Sequence, residues 1–387
     1  MEKKQETAKK EHELIVAGYL IRLIRAVLNG TVPERKPETV TMKQLFGAAR
    51  KHNLECIAYD GAIQVAEEKD REVMEHWAKQ SRIVALQGIM QEEEGKMLFQ
   101  KLPEEGIRVL PMKGYILKSI YPRPEYRQMV DLDILIDCEN REKAGYVMQK
   151  LGYQFEGSDS DDTVDHYQKK PWINVELHTY MIPFQYKSHE KYRNIWEKCK
   201  QSEQIYSMNW DDYYVFMIEH FAKHFYYSGS GIRFLVDIYI FLEQKAGFLD
   251  QKYLQQQFQE RGLEEFRKKM EKMAYNWFGR EYAVGKSLEE KTIMLSSVFG
   301  SMEQFYENMQ NKAEKECAIS WLMPVIYIRK RVFLGYHEMC GAYPYLRKYP
   351  FLLPLTWILR IVKGIHGKRK EIKKELGFLR ERRKQDA

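Results

Sequence analysis

The sequence predicts an α+β protein in which a small mixed sheet, near residues 105–182, is held between large N- and C-terminal helical regions. Three observations carry that expectation. Apolar residues recur at helical spacing through the first hundred positions, the spacing changes to two between Ile107 and Tyr180, and it returns to the helical period beyond Met181. The expected units are a helical region over 1–104, an α/β core over 105–182, a helical domain completing a cleft over 183–310, and a helical region with a basic tail over 311–387.

The first helix rests on Leu14, Ile15, Leu20, Ile21, Leu23, Ile24, Val27 and Leu28, with Asn29 and Gly30 as its stop. Pro33 and Pro37 mark residues 31–40 as a linker, and Thr41 caps a second helix running to about His52. A long helix from Asp70 to Lys101 is stopped by Pro103 and Gly106. Ile107 to Pro111 is a short β-rich run, and Val130 to Ile136 alternates polar and apolar as a strand does. Glu139 to Leu151 is a helix closed by Gly152, after which Tyr153–Glu156, Tyr167–Lys170 and Ile173–Tyr180 complete the sheet. The later helices are expected over Asp211–Tyr227, Phe234–Lys245, Leu254–Phe278 and Glu289–Phe305.

Composition narrows the class. With 44% hydrophobic and 30% charged residues, the chain is neither disordered nor fibrous. Its apolar stretch from Phe351 to Leu359 includes Pro354 and falls well short of the ~20 residues a bilayer span needs, so no transmembrane segment is expected. Arg360 to Ala387 holds eleven Lys or Arg and four Asp or Glu, so the whole excess of +7 resides there and residues 1–359 are neutral. The body thus lacks the basic surface of a nucleic-acid binder. Five scattered cysteines form no disulfide framework or zinc spacing. The charged first residues lack the apolar segment of a signal peptide, which points to a cytoplasmic protein.

The informative segment runs from Pro111 to Ile136. Asp131 and Asp133 are two apart on a predicted strand and so share a face, while Leu132, Ile134 and Ile136 point into a core. Two adjacent carboxylates repel unless protonated or bridged by a cation, and oxygen donors of this kind suit Mg²⁺ together with substrate phosphate. Ile173 to Tyr180 supplies a third acid, because period two places Asn174, Glu176 and His178 on one face. The same acids also read as a solvated strand. Lys113-Gly114 at a strand-to-helix junction lets backbone N–H groups approach phosphate, and Arg127 has the fork that grips it.

In this order and spacing, Lys113-Gly114, Arg127-x-x-x-Asp131-Leu-Asp133-Ile-Leu and Val175-Glu176-Leu-His178 resemble the DNA polymerase β-like nucleotidyltransferase superfamily. More closely, they resemble a bacterial family of uncharacterised nucleotidyltransferases. The resemblance extends over about residues 40–290, through Glu219-His220-Phe-Ala-Lys223-His224 and Gly231-Ile-Arg233-Phe-Leu-Val-Asp237. It departs from the superfamily where a Gly-Ser or Gly-Gly is usual, since Tyr115 follows Gly114 and seventeen positions separate Gly114 from Asp131.

The resemblance implies a nucleotidyltransferase-type sheet and Mg²⁺-dependent transfer of NMP from an NTP to an unidentified acceptor, with Mn²⁺ as an alternative ion. It implies catalytic and metal-binding roles for Asp131, Asp133 and Glu176. Lys113, Gly114, Arg127, His178, Lys223, His224 and Arg233 are the expected nucleotide-binding residues. Rival readings are a phosphotransferase using the same carboxylates and a non-catalytic nucleotide- or partner-binding protein.

Other features were weighed the same way. His220 and His224 lie i, i+4 on one helix face but lack the third ligand of a zinc site. Residues 228–231, Ser-Gly-Ser-Gly, open a helix bearing Arg233 and Asp237, and read either as a phosphate receiver or as a connection followed by an Arg233–Asp237 pair. Ser158 to Asp165 lacks the Gly and Glu of a calcium loop and reads as a solvated, mobile loop bounding the active site. The segment from Trp357 to Lys384 reads as a packing helix with a charged end, or as a contact for an anionic surface, lipid or nucleic acid.

Overall fold

The structure is a computed structural model. It describes residues 2–159, 162–183, 186–202, 205–285, 287–298 and 300, and beyond these 304–305, 308, 333–336, 339–340 and 343–367. The Lys- and Arg-rich stretch from 368 onward, where most of the expected basic tail falls, lies outside the described residues.

Four helices precede the sheet: α1 (Glu2–Asn29), α2 (Met42–Lys51), α3 (Glu55–Ala62) and α4 (Arg71–Glu104). Gly30, at φ +64°, ends α1 where a side chain would strain the backbone. Thr41 and Gln44 cap α2 reciprocally, side chain to backbone in both directions. α3 was not anticipated, because eight residues with few polar positions carry little periodic signal.

The sheet has seven strands: β1 (Val109–Pro111), β2 (Leu132–Ile136), β3 (Gln154–Ser158), β4 (Val164–Lys169), β5 (Ile173–His178), β6 (Lys200–Ser202) and β7 (Ile205–Ser207). Their order is β3-β4-β5-β2-β1-β7-β6, with β2 parallel to β5 and antiparallel to β1. Between β1 and β2 comes the short α5 (Lys113–Lys118), and between β2 and β3 comes α6 (Arg141–Lys150). The β6–β7 hairpin extends the sheet past the expected limit of 182, beyond the four-residue α7 (Ile195–Lys198). Three-residue strands lack an alternating pattern to read.

Both faces of the sheet are covered. Leu132, Ile134, Ile136, Val175 and Leu177 pack against Leu98, Phe99 and Leu102 of α4 and Ala144, Val147 and Met148 of α6. Leu110, Met112 and Leu135 face the other way, toward Met181, Tyr192 and Phe216. Period two then puts Asp133 on this second face with Leu135.

That second face is closed by α8 (Trp210–Ser228) and α9 (Arg233–Lys245), backed by α10 (Gln251–Arg261), α11 (Glu264–Phe278) and α12 (Leu288–Leu295). The expected single helix over Leu254–Phe278 is broken by Gly262, whose left-handed φ of +65° starts a new direction. The expected helix to Phe305 stops at Leu295, where Lys51 caps the carbonyl and Val298 N–H donates to Lys51 O (3.2 Å). Helices from both ends of the sequence share one core: Leu20, Ile21, Leu23 and Ile24 of α1 are fully buried with Trp77 and Trp277. Arg25 Nε donates to Gly279 O (2.8 Å) and Asn29 to Phe278 O (2.8 Å), capping the end of α11 from α1. Each fully buried aliphatic side chain contributes roughly 1.5–3 kcal/mol. A last described helix, α13 (Leu353–Gly367), packs against Met339, Cys340 and Leu346.

Candidate active site

The register of β2 and β5 builds the site. Asp133 pairs directly with Glu176, and Leu135 with His178, so the parallel strands bring Asp133, Glu176 and His178 to one face. Asp131 lies just before β2 rather than within it, and it lines the same cavity as Asp133 and Glu176. That cavity, of about 270 Å³, is bounded by α5, the 127–131 segment, and the faces of α8 and α9 turned toward the sheet.

Asp133 is held by two donors on one oxygen. Lys113 Nζ donates to its Oδ1 at 2.5 Å and His178 Nε2 donates to the same oxygen at 2.9 Å. His178 Nε2 also lies 3.3 Å from Glu176 Oε2, and His166 Nδ1 lies 3.5 Å from Glu176 Oε1. Burial would raise the Asp133 carboxyl, but the Lys113 charge and the His178 hydrogen bond hold it well below the usual carboxylate range. Asp131 has no such partner among the described residues: burial, then the charges of Asp133 and Glu176, push it up to about 7. Lys113 is raised despite burial because three carboxylates surround it. These acids therefore repel one another, and Lys113 is the cation nearest to them.

Lys113 occupies a left-handed conformation, φ +46°, at the start of α5, and Tyr213 OH donates to its carbonyl at 2.7 Å. Non-glycine residues rarely adopt this conformation. Next to it, a Cβ on Gly114 would lie 2.9 Å from Met129 Cγ, so only glycine lets α5 sit against the 127–131 segment without shifting Met129.

Arg127 lines the cavity and is anchored from within the protein. Its Nε donates to Asp237 Oδ1 at 2.6 Å and its Nη1 to Gln128 O at 2.7 Å; Tyr121 OH donates to the same Asp237 oxygen at 2.5 Å. The expected helix pair Arg233–Asp237 is thus replaced by a long-range pair between Arg127 and Asp237. Arg233 Nη1 instead donates to Gln128 O at 3.1 Å, and its buried Nε has no hydrogen-bond partner among the described residues. Burial, followed by the nearby Arg127 charge, lowers Arg233 to about 10, leaving it protonated at neutral pH.

His220 and His224 stand on the cavity wall with ring centroids 4.5 Å apart. Burial depresses both, His224 to about 4 and His220 well below the usual imidazole value, so both are neutral. Among the described residues, the one cluster with metal-ligand spacing is Asp133, Glu176 and His178, not this pair. Lys223 is turned away from the cavity, its ammonium 5.2 Å from the Tyr186 ring, because a helix rotates its flank by 100° per residue. The loop at 228–231 is not an open phosphate receiver either. A Cβ on Gly231 would meet His52 Nδ1 at 2.7 Å and Val298 N at 3.0 Å, so the loop is packed against its neighbours. In the segment from Ser158 to Asp165, Arg141 grips Asp165 with two hydrogen bonds of 2.8 and 2.6 Å and also reaches Asp162.

Tyr213, Tyr121, Asp237 and His166 were not among the expected site residues. A signal for Tyr213 existed: 213, 217, 220 and 224 repeat at helical spacing, so Tyr213 shares the face of the two histidines. Asp237 was legible only as a helix neighbour of Arg233 and as part of the resemblance, since its actual partner, Arg127, is 110 positions away.

The mixed sheet thus sets two acids side by side on parallel strands, at a cavity also lined by Lys113, Arg127 and Arg233. The chain belongs to the family described as uncharacterised nucleotidyltransferase, whose sequence model matches residues 38–279. That stretch spans α2 to α11 and includes every residue of the site except Val298. No curated protein and no solved structure matches the chain. Among the described residues no helix is long and apolar enough to cross a membrane.

Proposed function

We propose that this protein transfers a nucleoside monophosphate from an NTP to an acceptor hydroxyl or phosphate with the help of Mg²⁺ or Mn²⁺. The observation that carries the reading is the pairing of Asp133 with Glu176 on adjacent parallel strands, with Asp131 at the same cavity. Their chemistry suits a hard divalent ion. Ligand atoms of Asp133, Glu176 and His178 fall within 4.8 Å of one another, and Asp131 lines the same cavity. Asp131, Asp133 and Glu176 would hold the ion, which neutralises phosphate charge and orients the α-phosphorus.

The chain's own residues do the rest. Lys113 and Arg233, both on the cavity wall, provide the charge for the phosphate chain. Gly114 allows close approach, and Arg127 holds the 127–131 segment in place through Asp237. Glu176, more exposed than Asp133, would take the acceptor's proton. The acceptor oxygen then bonds to the α-phosphorus, the bond from that phosphorus to the bridging oxygen breaks, and pyrophosphate leaves. Positioning and charge neutralisation account for most of the lowered barrier.

The test is thermal stability with ATP, GTP, CTP and UTP plus Mg²⁺, for wild type and Asp131→Asn/Asp133→Asn. A nucleotide at 100 times its Kd stabilises by about 2.7 kcal/mol, and the double substitution should abolish that gain. No response to any nucleotide would refute the reading. Release of a nucleoside diphosphate instead of pyrophosphate would make the protein a phosphotransferase on the same carboxylates.

A further inference from the structure

The last described helix turns an apolar stripe away from the protein. α13 is seated by Thr356, whose hydroxyl hydrogen-bonds the Tyr345 hydroxyl at 2.9 Å, and by Trp357, whose indole N–H donates to Leu334 O at 3.0 Å. These side chains and Leu353 define its inward side, against the small core of Met339, Cys340 and Leu346. On the other side Leu355, Ile358 and Leu359 are 54%, 58% and 46% exposed, and Phe351, just before the helix, is 75% exposed. Positions 351, 355, 358 and 359 repeat at helical spacing, and the sequence continues the repeat at 362 and 365.

Contiguous exposed aliphatic side chains of this kind mark a contact surface. Charge identifies the contact. The entire net charge of the chain, +7, lies between Arg360 and Ala387, immediately after this stripe. An apolar face joined to a dense basic run is the pattern of a helix lying in the headgroup region of an anionic bilayer. Nucleic acid would use the basic run and leave the leucines and isoleucine in water. A second copy would bring an equal +7 against the first. Fifteen helical residues, about 22 Å, cannot span the ~30 Å hydrocarbon core.

We infer that α13 and the basic segment after it dock the protein on an anionic lipid surface, with Phe351, Leu355, Ile358 and Leu359 entering the headgroup–acyl boundary. The apolar stripe supplies the depth of insertion and the basic segment the preference for negative headgroups.

The experiment is flotation of the full chain with vesicles of phosphatidylcholine alone and of phosphatidylcholine mixed with phosphatidylserine. Retention is expected on the mixed vesicles only and falls as salt is raised. Leu355→Asp/Ile358→Asp should lower it by more than about tenfold, since both side chains lose their apolar contact. A second variant, Lys368→Glu/Arg369→Glu/Lys370→Glu, acts through charge alone and should give a comparable loss with an unchanged melting temperature. Equal retention on both vesicle types, or none, overturns the inference. So does tight binding to an oligonucleotide that survives Leu355→Asp/Ile358→Asp, or a dimer in solution that the same variant dissolves.

Discussion

Lys113 Nζ lies 2.5 Å from Asp133 Oδ1, so a lysine is the counter-ion of the acid that pairs across to Glu176. The ammonium and a divalent cation would compete for one oxygen. Binding of an ion would therefore free Lys113 toward the phosphates.

Lys113→Met removes this internal cation and leaves three carboxylates facing one another. The pair is partly open to solvent, so a loss of about 2 kcal/mol is expected in chelator, less than the 3–5 kcal/mol for breaking a fully buried pair. Added Mn²⁺ should restore the melting temperature by more than it raises that of wild type. Equal responses of the two proteins to Mn²⁺ would show that Lys113 and the ion do not share a place.

Asp237→Ala strands the Arg127 guanidinium, buried with it, and removes the acceptor for Tyr121. A loss of about 3–5 kcal/mol in urea unfolding is expected. Adding Arg127→Met should recover part of it, because the unpaired charge goes too. Additive losses in the double variant would contradict the pairing.

His52 makes stability depend on pH. It is buried, its Nδ1 accepts from Ile232 N–H at 3.2 Å, and burial, then the Lys51 charge, lowers it from 6.5 to about 3. Because the folded value is depressed, the unfolded chain takes up the proton first, and stability is lost as pH falls from 6.5 toward 3. By pH 4.5 the loss is about 2–3 kcal/mol. Urea unfolding from pH 7.5 to 4.5 should show this slope for wild type and a shallower one for His52→Gln.

Gly114→Ala puts a methyl group against Met129, 2.9 Å from its Cγ. Met129 is flexible and can give, so the stability cost is about 1–2 kcal/mol. The larger effect should be on nucleotide affinity, since α5 and the 127–131 segment move apart. An unchanged Kd for the preferred NTP would mean that this approach does not shape the nucleotide site.

Local chemistry made much of the fold legible. Thr41 with Gln44, Gly30 after α1, and the alternation of Leu132, Ile134 and Ile136 each act within a few residues, and each was readable. Gly262 was readable in principle, but the apolar period on either side of it suggested one continuous helix. The β6–β7 hairpin was not readable, because its strands are held by pairing with β1 rather than by their own pattern. At the site, the sequence pointed to Asp131, Asp133, Glu176 and His178 through period two, and to Lys113-Gly114 through its place at a junction.

The sequence by itself determined which side chains share a face, because that follows from the pitch of a helix or the pleat of a strand. It placed Asp133 with its neighbours, Glu176 with His178, and His220 with His224. Only the tertiary structure decided which faces meet. Register set Asp133 beside Glu176, burial drove Arg127 onto Asp237 and left Arg233 at the cavity, and helix rotation took Lys223 out of it. Those outcomes depend on contacts between residues tens to a hundred positions apart, where the competition for each buried charge is settled by distance and desolvation.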